Sequence, residues 1–473
     1  MPEVPQQAAS FTFSAFLILA LVAVFIAFGV PMAPILALGG IVVFAFAFRF
    51  TEAFLYLAIF LTPLTGLRLV IPSGGLQLIT SAFSDTLDIP IAEGVFIILL
   101  AVWAVKVFLY WRRRNDRQWQ PEFPIWSSYA VFVFAHAVSA FSPLMPDASV
   151  VLKYAARPVL FDYLAFVALP VNLIRSRRRL VNALWMIAGI GTLAALNGLL
   201  SIFFTPGAFL SAAQPLSVFG LSALGENHNE LAEVLVFTAP ATLALSRLIT
   251  VSRIRRVLEG LAVFQALICL LTFTRTGWIV LGLEIVVLCA TIWREAVKKQ
   301  IRAVLIIVLL MVPLGAAMAV YSVSQTAVSS NSTRLMLSEI AYDLFLSSPV
   351  FGAGAGTFAD RVGSTQVFLI EYGIPLDSHG FLQKIMAETG IIGLLALCFV
   401  AFQLFRVAVS GIRSIRTTPY YAAYMMIGVG ALGAIGYQLF NTGYWTGKMW
   451  LPIGIFLAAT QVLKPSPRDI LPS

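Results

Sequence analysis

The sequence is short of charge. Only 11% of its 473 residues are Asp, Glu, Lys or Arg, against 60% that are hydrophobic, and a soluble globular chain carries roughly twice that charged fraction. A chain so composed cannot cover its own apolar surface with polar groups, which excludes a soluble protein and makes lipid the solvent. The mean hydropathy of +0.91 says the same. In lipid every backbone N–H and C=O needs an internal partner, which leaves helices or a closed barrel. The apolar runs are about 17–25 residues long and do not alternate with period two, which excludes the barrel.

Cysteine is equally scarce. Cys269, Cys289 and Cys398 all fall inside apolar runs at spacings that suit neither a disulfide framework nor a thiolate metal site; they read as small buried residues. No Cys/His or Asp-rich cluster has metal-ligand spacing, so no metal and no cofactor is expected. Residues 1–10 hold only Glu3 as a charged side chain, so the basic region of a signal peptide is missing and the first apolar run is expected to stay as a span. Gly352-Ala-Gly-Ala-Gly356 has no strand before it and no Gly-Lys-Ser/Thr after it, which excludes a phosphate-binding nucleotide loop and leaves a flexible hinge.

What is present is a series of about fourteen apolar segments of spanning length, near 11–29, 31–48, 52–69, 90–110, 125–142, 157–173, 180–203, 230–249, 257–273, 275–292, 302–322, 379–405, 419–440 and 447–463. The segments 31–48 and 52–69 are short or hairpin-like. The expected fold class is therefore all-α: a polytopic membrane protein of about 12–14 transmembrane helices, forming one membrane domain over residues 1–473. Basic clusters occupy every second loop: Arg112–Arg114 with Arg117, Arg175 with Arg177–Arg179, Arg253 with Arg255 and Arg256, Arg294 with Lys298, Lys299 and Arg302, and Arg406 with Arg413 and Arg416. Such loops belong in the cytoplasm, which predicts cytoplasmic termini and accounts for the net charge of +9 without a nucleic-acid partner. The outer loops follow, and one is long: residues 323–378. Within it, 334–346 predicts an amphipathic helix with Leu337, Ile340 and Leu344 on one face, opened by Ser332-Thr-Arg334, ended by Ser348-Pro349 and lying against the membrane surface.

Four outer-side constellations carry chemistry. Arg275, in Leu271-Thr-Phe-Thr-Arg275-Thr-Gly-Trp278, sits where two spans meet with almost no loop. It reads either as a snorkelling headgroup anchor or as a fork gripping a phosphate. Arg334, at the expected helix start, is solvated or, with the helix amides, suits an oxyanion. In Asp377-Ser-His379-Gly-Phe-Leu-Gln383 the chain re-enters the membrane; His379 is an interfacial histidine or a general base, with Asp377 to orient it and Gln383 one turn below. Lys153 and Arg157, in Lys153-Tyr-Ala-Ala-Arg157, are lipid anchors or an anion site. His228, in Gly225-Glu-Asn-His-Asn-Glu230, is a second candidate base, whereas His136, mid-span, reads as structural.

The order of these elements resembles the O-antigen ligase and polymerase family. Thr272–Trp278 is similar to its S/T-x-S/T-R-G/T segment, Arg334–Phe358 to its loop, His379–Ala396 to its H-N-x-x-L-x-x-x-x-E-x-G-I-x-G-L segment, and Asn227–Ala232 to its N-x-N-x-x-A approach to a span. The resemblance covers roughly residues 220–405; the N-terminal spans share only hydropathy. It implies a metal-independent, usually inverting membrane glycosyltransferase of the bacterial inner membrane, active on the periplasmic face. The donor implied is a polyprenyl-diphosphate-linked glycan, and the acceptor a hydroxyl on lipid A core or another glycan, so the partners are those two substrates and membrane lipids. It also implies His379 as the catalytic residue and Arg275 and Arg334 as donor-diphosphate ligands; the residues themselves add Lys153, Arg157, His228, Asp377 and Gln383 as candidate supports. The chain departs from the pattern at Gly380, where the family has Asn; a hydrogen bond from that Asn would need another source, such as Gln383. Ligase and polymerase are not separated by these motifs. A transporter or flippase of lipid-linked sugars is the alternative, with Glu284 and His136 as its few mid-span ionisable residues.

Overall fold

The computed structural model describes residues 32–72, 86–112, 120–145, 147–204, 213–300, 325–365, 377–441, 443 and 446–465. The expected spans 11–29 and 302–322, and part of the basic cluster at 112–117, lie outside these residues. The described part is a helical bundle. In chain order it has α1 (Met32–Arg49), α2 (Thr51–Leu61), β1 (Arg68–Pro72), β2 (Thr86–Pro90), α3 (Ile91–Arg112), α4 (Trp126–Val138) and α5 (Ala148–Tyr154). Two π-helical turns, Ala155–Leu160 and Tyr163–Ala168, lead into α6 (Leu169–Leu173). Then come α7 (Arg177–Phe204), α8 (His228–Leu248), α9 (Ser252–Leu271), α10 (Arg275–Thr291), α11 (Arg294–Lys299), α12 (Gln325–Ser347), α13 (Phe358–Gly363), α14 (Phe381–Ile415), α15 (Tyr421–Gln438) and α16 (Gly447–Val462).

Among the described residues four helices are long and apolar enough to cross a membrane: α3 over Ile91–Trp111, α7, α8 and α14. The segments expected to be hairpin-like form a bent pair, Gly39–Arg49 and Thr51–Leu61, meeting at 108°. Shorter helices stand at most of the other expected positions. Two expectations need correcting. The span expected over 52–69 ends at Leu61, and Arg68–Pro72 pairs antiparallel with Thr86–Pro90, so the all-helical reading misses one small hairpin. The span expected over 157–173 is not one α-helix, because its first half is wound as π turns around Pro158.

α8 is the axis of the bundle, 89% buried over its apolar window, with α7, α9 and α15 packed around it. Glycine and alanine allow the closeness: Gly191 of α7 faces Thr238, and Gly430 of α15 faces the Phe237 carbonyl and Pro240. The larger core lies beside this axis, where the Tyr129 and Tyr163 rings stack at 4.6 Å and Trp450 meets Tyr129 edge-on at 5.1 Å.

α8 and α15 also define two ends of the bundle. Arg177 bonds the Tyr420 hydroxyl and the Leu248 carbonyl, so the 175–179 cluster sits at the end where α8 finishes and α15 begins. The other end holds His228, which opens α8, and Tyr437, which closes α15 and whose hydroxyl donates to the Asn229 carbonyl at 2.7 Å.

Candidate functional site

The His228 end is built by four chain segments. Asn227 caps α8 through a capping box: its side chain accepts the Asn229 and Glu230 amides, and Glu230 reaches back to the Asn227 amide. α9 and α10 meet in a tight turn. Thr272 ends α9, Phe273 takes a left-handed φ of 52°, Thr274 precedes α10, and Arg275 is its first residue. Thr274 donates to the His228 carbonyl at 3.4 Å and the Trp278 indole to the Leu270 carbonyl at 2.8 Å, which locks the turn against α8. Arg275 therefore follows the residue that contacts His228 and stands at the positive end of α10.

Arg334 comes from α12, and here the structure overturns an expectation. α12 starts at Gln325, so Arg334 lies about two and a half turns inside it and the helix-start amides are not beside its guanidinium. The apolar face packs on protein: Leu337 and Ala341 meet Phe358, Val362 and Ala387 of α13 and α14. That packing aims Arg334 at the other segments: its charge acts on Arg275, Tyr437, His228 and His379. Burial, then Arg275, lowers the pKa of Arg334 from its usual value, although a guanidinium stays charged. Its Nε is buried and finds no hydrogen-bond partner among the described residues.

His379 sits just ahead of α14, half-buried. Burial first, then Arg334, lowers its pKa, and Asp377 pushes the other way. It is thus neutral and able to accept a proton below the ordinary histidine range. Asp377 is near it but is not hydrogen-bonded to it: among the described residues its carboxylate takes Lys384, at 2.6 Å, and the Ser378 amide, at 2.9 Å. Gln383 donates to Ser338 at 2.9 Å, and Ser338 to the Arg334 carbonyl at 2.7 Å, so Gln383 ties the His379 segment to the Arg334 helix. Its Oε1 is buried without a partner among the described residues and lies 3.3 Å from the point where a Gly380 side chain would begin.

The glycine run, expected as a flexible hinge, is packed and hydrogen-bonded on both sides. α14 breaks at Gly390, with φ 62° and ψ −155°, and residues 349–356 fill the break. The Ile391 amide turns to the Pro349 carbonyl at 2.9 Å, while the freed Ala387 and Glu388 carbonyls accept from Ala353 and Gly354 at 2.8 and 3.0 Å. Loop and broken helix satisfy each other's backbone, as a low-dielectric setting demands. On the far side Ser139 accepts the Ala355 amide and Ser142 donates to the Gly352 carbonyl. Glycine is required at 352, 354 and 356: all three have positive φ, and a Cβ would meet backbone or Met145 or Tyr154 at 2.3, 2.4 and 2.6 Å.

Sequence reasoning thus names Arg275, Arg334, His379 and His228, and the structure brings all four together, with Gln383 and Asp377 behind them. Lys153 stands apart, exposed in the last turn of α5, where its charge acts on Asp147; Arg157 lies in the first π turn. Three neighbours were missed. Tyr437 gave no signal inside an apolar run. Lys384 was visible as an i,i+4 pair with Glu388. The buried Glu233–Lys448 pair, 3.3 Å apart and joined by Gln438, links residues far apart in sequence.

Residues 260–398 match the family described as O-Antigen ligase. This region is similar to O-antigen ligase domains. It contains Arg275, Arg334, Asp377, His379, Gln383 and Lys384, while His228 and Tyr437 complete the cluster from outside it. The match supports a membrane glycosyltransferase of the O-antigen ligase type, acting with lipid-linked glycan and glycan acceptor partners. No curated protein matches the chain.

Proposed function

We propose that the protein transfers a glycan from a polyprenyl-diphosphate donor to an acceptor hydroxyl on the periplasmic face of a bacterial inner membrane, without a metal. The observation that carries this reading is the unspent guanidinium. Arg334 holds a buried Nε with no partner and Arg275 has no hydrogen bond among the described residues, yet both stand within electrostatic reach of one another. Two cations kept close and left unpaired are costly unless an anion is to sit between them, and a diphosphate carries the matching charge and geometry. The periplasmic placement rests on the alternation of basic loops, because the 175–179 cluster lies at the opposite end of the bundle from this site.

In the reaction the acceptor oxygen bonds to the anomeric carbon of the donor sugar and the bond from that carbon to the phosphate oxygen breaks. His379 takes the acceptor proton. The polyprenyl diphosphate leaves with the bonding electron pair, and Arg275 and Arg334 stabilise the charge that develops on it. Arg334 lowers the basicity of His379, which keeps the imidazole neutral before reaction. A donor whose tail stays in the bilayer presents this bond at the interface, and the three side chains that would meet it come from the start of α10, the interior of α12 and the turn before α14.

The test is reconstitution of the purified protein in liposomes with a lipid-diphosphate glycan and no ion gradient. Transfer that needs no gradient, and that is lost in Arg275→Ala, Arg334→Ala and His379→Ala, supports the reading. Full transfer by those three variants overturns it. A ladder of longer lipid-linked products marks a polymerase, and transfer to added lipid A core marks a ligase. Of the two mid-span residues named for the transporter reading, Glu284 has a carboxylate buried in α10 without a partner among the described residues, and His136 bonds the Phe132 carbonyl of its own helix.

A further inference from the structure

The first turn of α14 holds a buried cation. The Lys384 side chain is 5% exposed, and its ammonium lies 2.6 Å from Asp377 and 3.7 Å from Glu388. Glu388, at i+4, would already give this lysine an ordinary helical partner. The closer contact is nevertheless with Asp377, seven residues earlier and outside the helix. The same Asp377 carboxylate accepts the Ser378 amide at 2.9 Å, and the Ser378 hydroxyl donates to the Gly380 carbonyl at 3.0 Å. His379 lies between these two tied residues. Among the described residues the turn takes a backbone hydrogen bond at its end, where the Gly380 carbonyl accepts the Lys384 amide at 3.2 Å, and the side-chain contacts hold the rest of it.

The anchor behind Lys384 is rigid. Glu388 is fully buried; it accepts the Phe358 amide at 2.9 Å, and its carbonyl holds Gly354. Asp377, Lys384 and Glu388 thus form a line of charge from the His379 turn to the glycine loop packed in the helix break. A general base must be held within a fraction of an ångström of its working position, and a displacement of 1 Å costs about 100-fold in rate.

We propose that Lys384 is a positioning residue for the transfer reaction: its ammonium, braced by Glu388, holds Asp377 and so fixes the Asp377–Gly380 turn that aims His379 at the arginine site. This rests on the reading of His379 as the base. The experiment is Lys384→Met in the full chain, reconstituted as above. The expected result is a kcat lower by about 10- to 100-fold with KM for the donor within about threefold, and recovery of most of the rate in Lys384→Arg, which restores the charge.

The pH profile separates positioning from general loosening. The charged groups that act on His379 are Arg334 from α12 and Asp377 from its own turn. Removing Lys384 leaves the Asp377 charge unneutralised, which favours imidazolium, so the acid limb of kcat moves to higher pH. Asp377→Asn removes that charge and moves the limb to lower pH. Wild-type kcat and an unmoved limb in a folded Lys384→Met protein overturn the proposal, as do losses in both variants with neither limb displaced. If Lys384→Met does not fold, Asp377→Asn decides: a limb displaced downward supports the proposal and an unmoved limb overturns it. His379→Ala, run alongside, separates the two claims. Retained transfer there removes the base assignment, whereas lost transfer together with a wild-type Lys384→Met removes only the positioning role.

Discussion

The two ends of the bundle both carry arginines and use them in opposite ways. At the end where α8 finishes, Arg175, Arg177 and Arg179 are spent on the protein. Arg179 bonds Glu52 and the Leu173 carbonyl, Arg177 bonds Tyr420 and the Leu248 carbonyl, and Arg175 bonds Asn172 and the Gln120 carbonyl. At the end where α8 begins, Arg275 makes no hydrogen bond among the described residues and Arg334 keeps a buried Nε unpartnered. A folded chain rarely leaves buried donors unmet. Arginines bonded by the protein hold helix ends together, whereas a half-buried pair left unbonded among the described residues is what the proposed diphosphate site requires.

The sharpest way to break this comparison is to truncate the unsaturated set. Arg334→Ala is expected to lower the transfer rate by about 10²- to 10³-fold, and His379→Ala by about 10²- to 10⁴-fold. Unfolding midpoints in detergent should barely change, because the Arg334 side chain makes no hydrogen bond among the described residues. If Arg334→Ala unfolded the protein instead, its unmet donor would be a packing accident and not a binding group.

Next in size is a test of the clamp that holds the site. Gly352→Ala combines a φ of +70° with a Cβ 2.3 Å from the Glu388 backbone, and a backbone neighbour cannot step aside. The expected cost is roughly 2–5 kcal/mol. Gly220→Ala is the control, with a φ of +78° but nothing within 4 Å, so it is expected to cost only about 1–2 kcal/mol. Equal losses of thermal stability in the two variants would mean that the loop is as loosely held as an open turn.

These two regions also differ in how far they could be read from sequence. The saturated end was legible as topology, because runs of arginine between apolar segments have one physical meaning. The residue types of the site were legible too: Arg275 is out of place at an apolar junction, and His379 precedes a span. The helix around Arg334 was not. Ser332-Thr333 looks like a cap, and the upstream residues 325–331 are poor helix formers; packing of Leu337 and Ala341 on α14 overrides both. The break at Gly390 was hidden for a similar reason. Hydropathy runs through it unbroken, and only residues 349–354, from a distant part of the chain, supply the hydrogen bonds that make the break stable. The hairpin Arg68–Pro72 with Thr86–Pro90 was lost because its first strand continues an apolar run.

A smaller effect sharpens the electrostatic half of the comparison. His379 is active as a base only when neutral, so kcat/KM rises with pH through its pKa. Burial and Arg334 lower that pKa, so the acid limb should lie below the ordinary value of about 6.5. Arg334→Gln removes a positive charge, which makes protonation easier, and the limb of the residual activity should move up. A wild-type limb at or above about 6.5, or a limb that Arg334→Gln leaves in place, would show that the two groups do not act on each other.

The smallest expected effect belongs to the saturated end. Arg179→Ala removes an ion pair whose partners are 35% and 52% exposed, and such pairs contribute about 0.2–1 kcal/mol because water and salt screen them. Transfer activity should be unchanged, and the small stability difference from wild type should shrink in about 1 M salt, where the screening length is about 3 Å. The result matters because Arg179 and Arg334 are the same side chain, in the same protein, at comparable partial exposure. If Arg179→Ala abolished transfer while costing so little stability, hydrogen-bond saturation would not distinguish structural arginines from binding ones, and the site would have to be sought at both ends of the bundle.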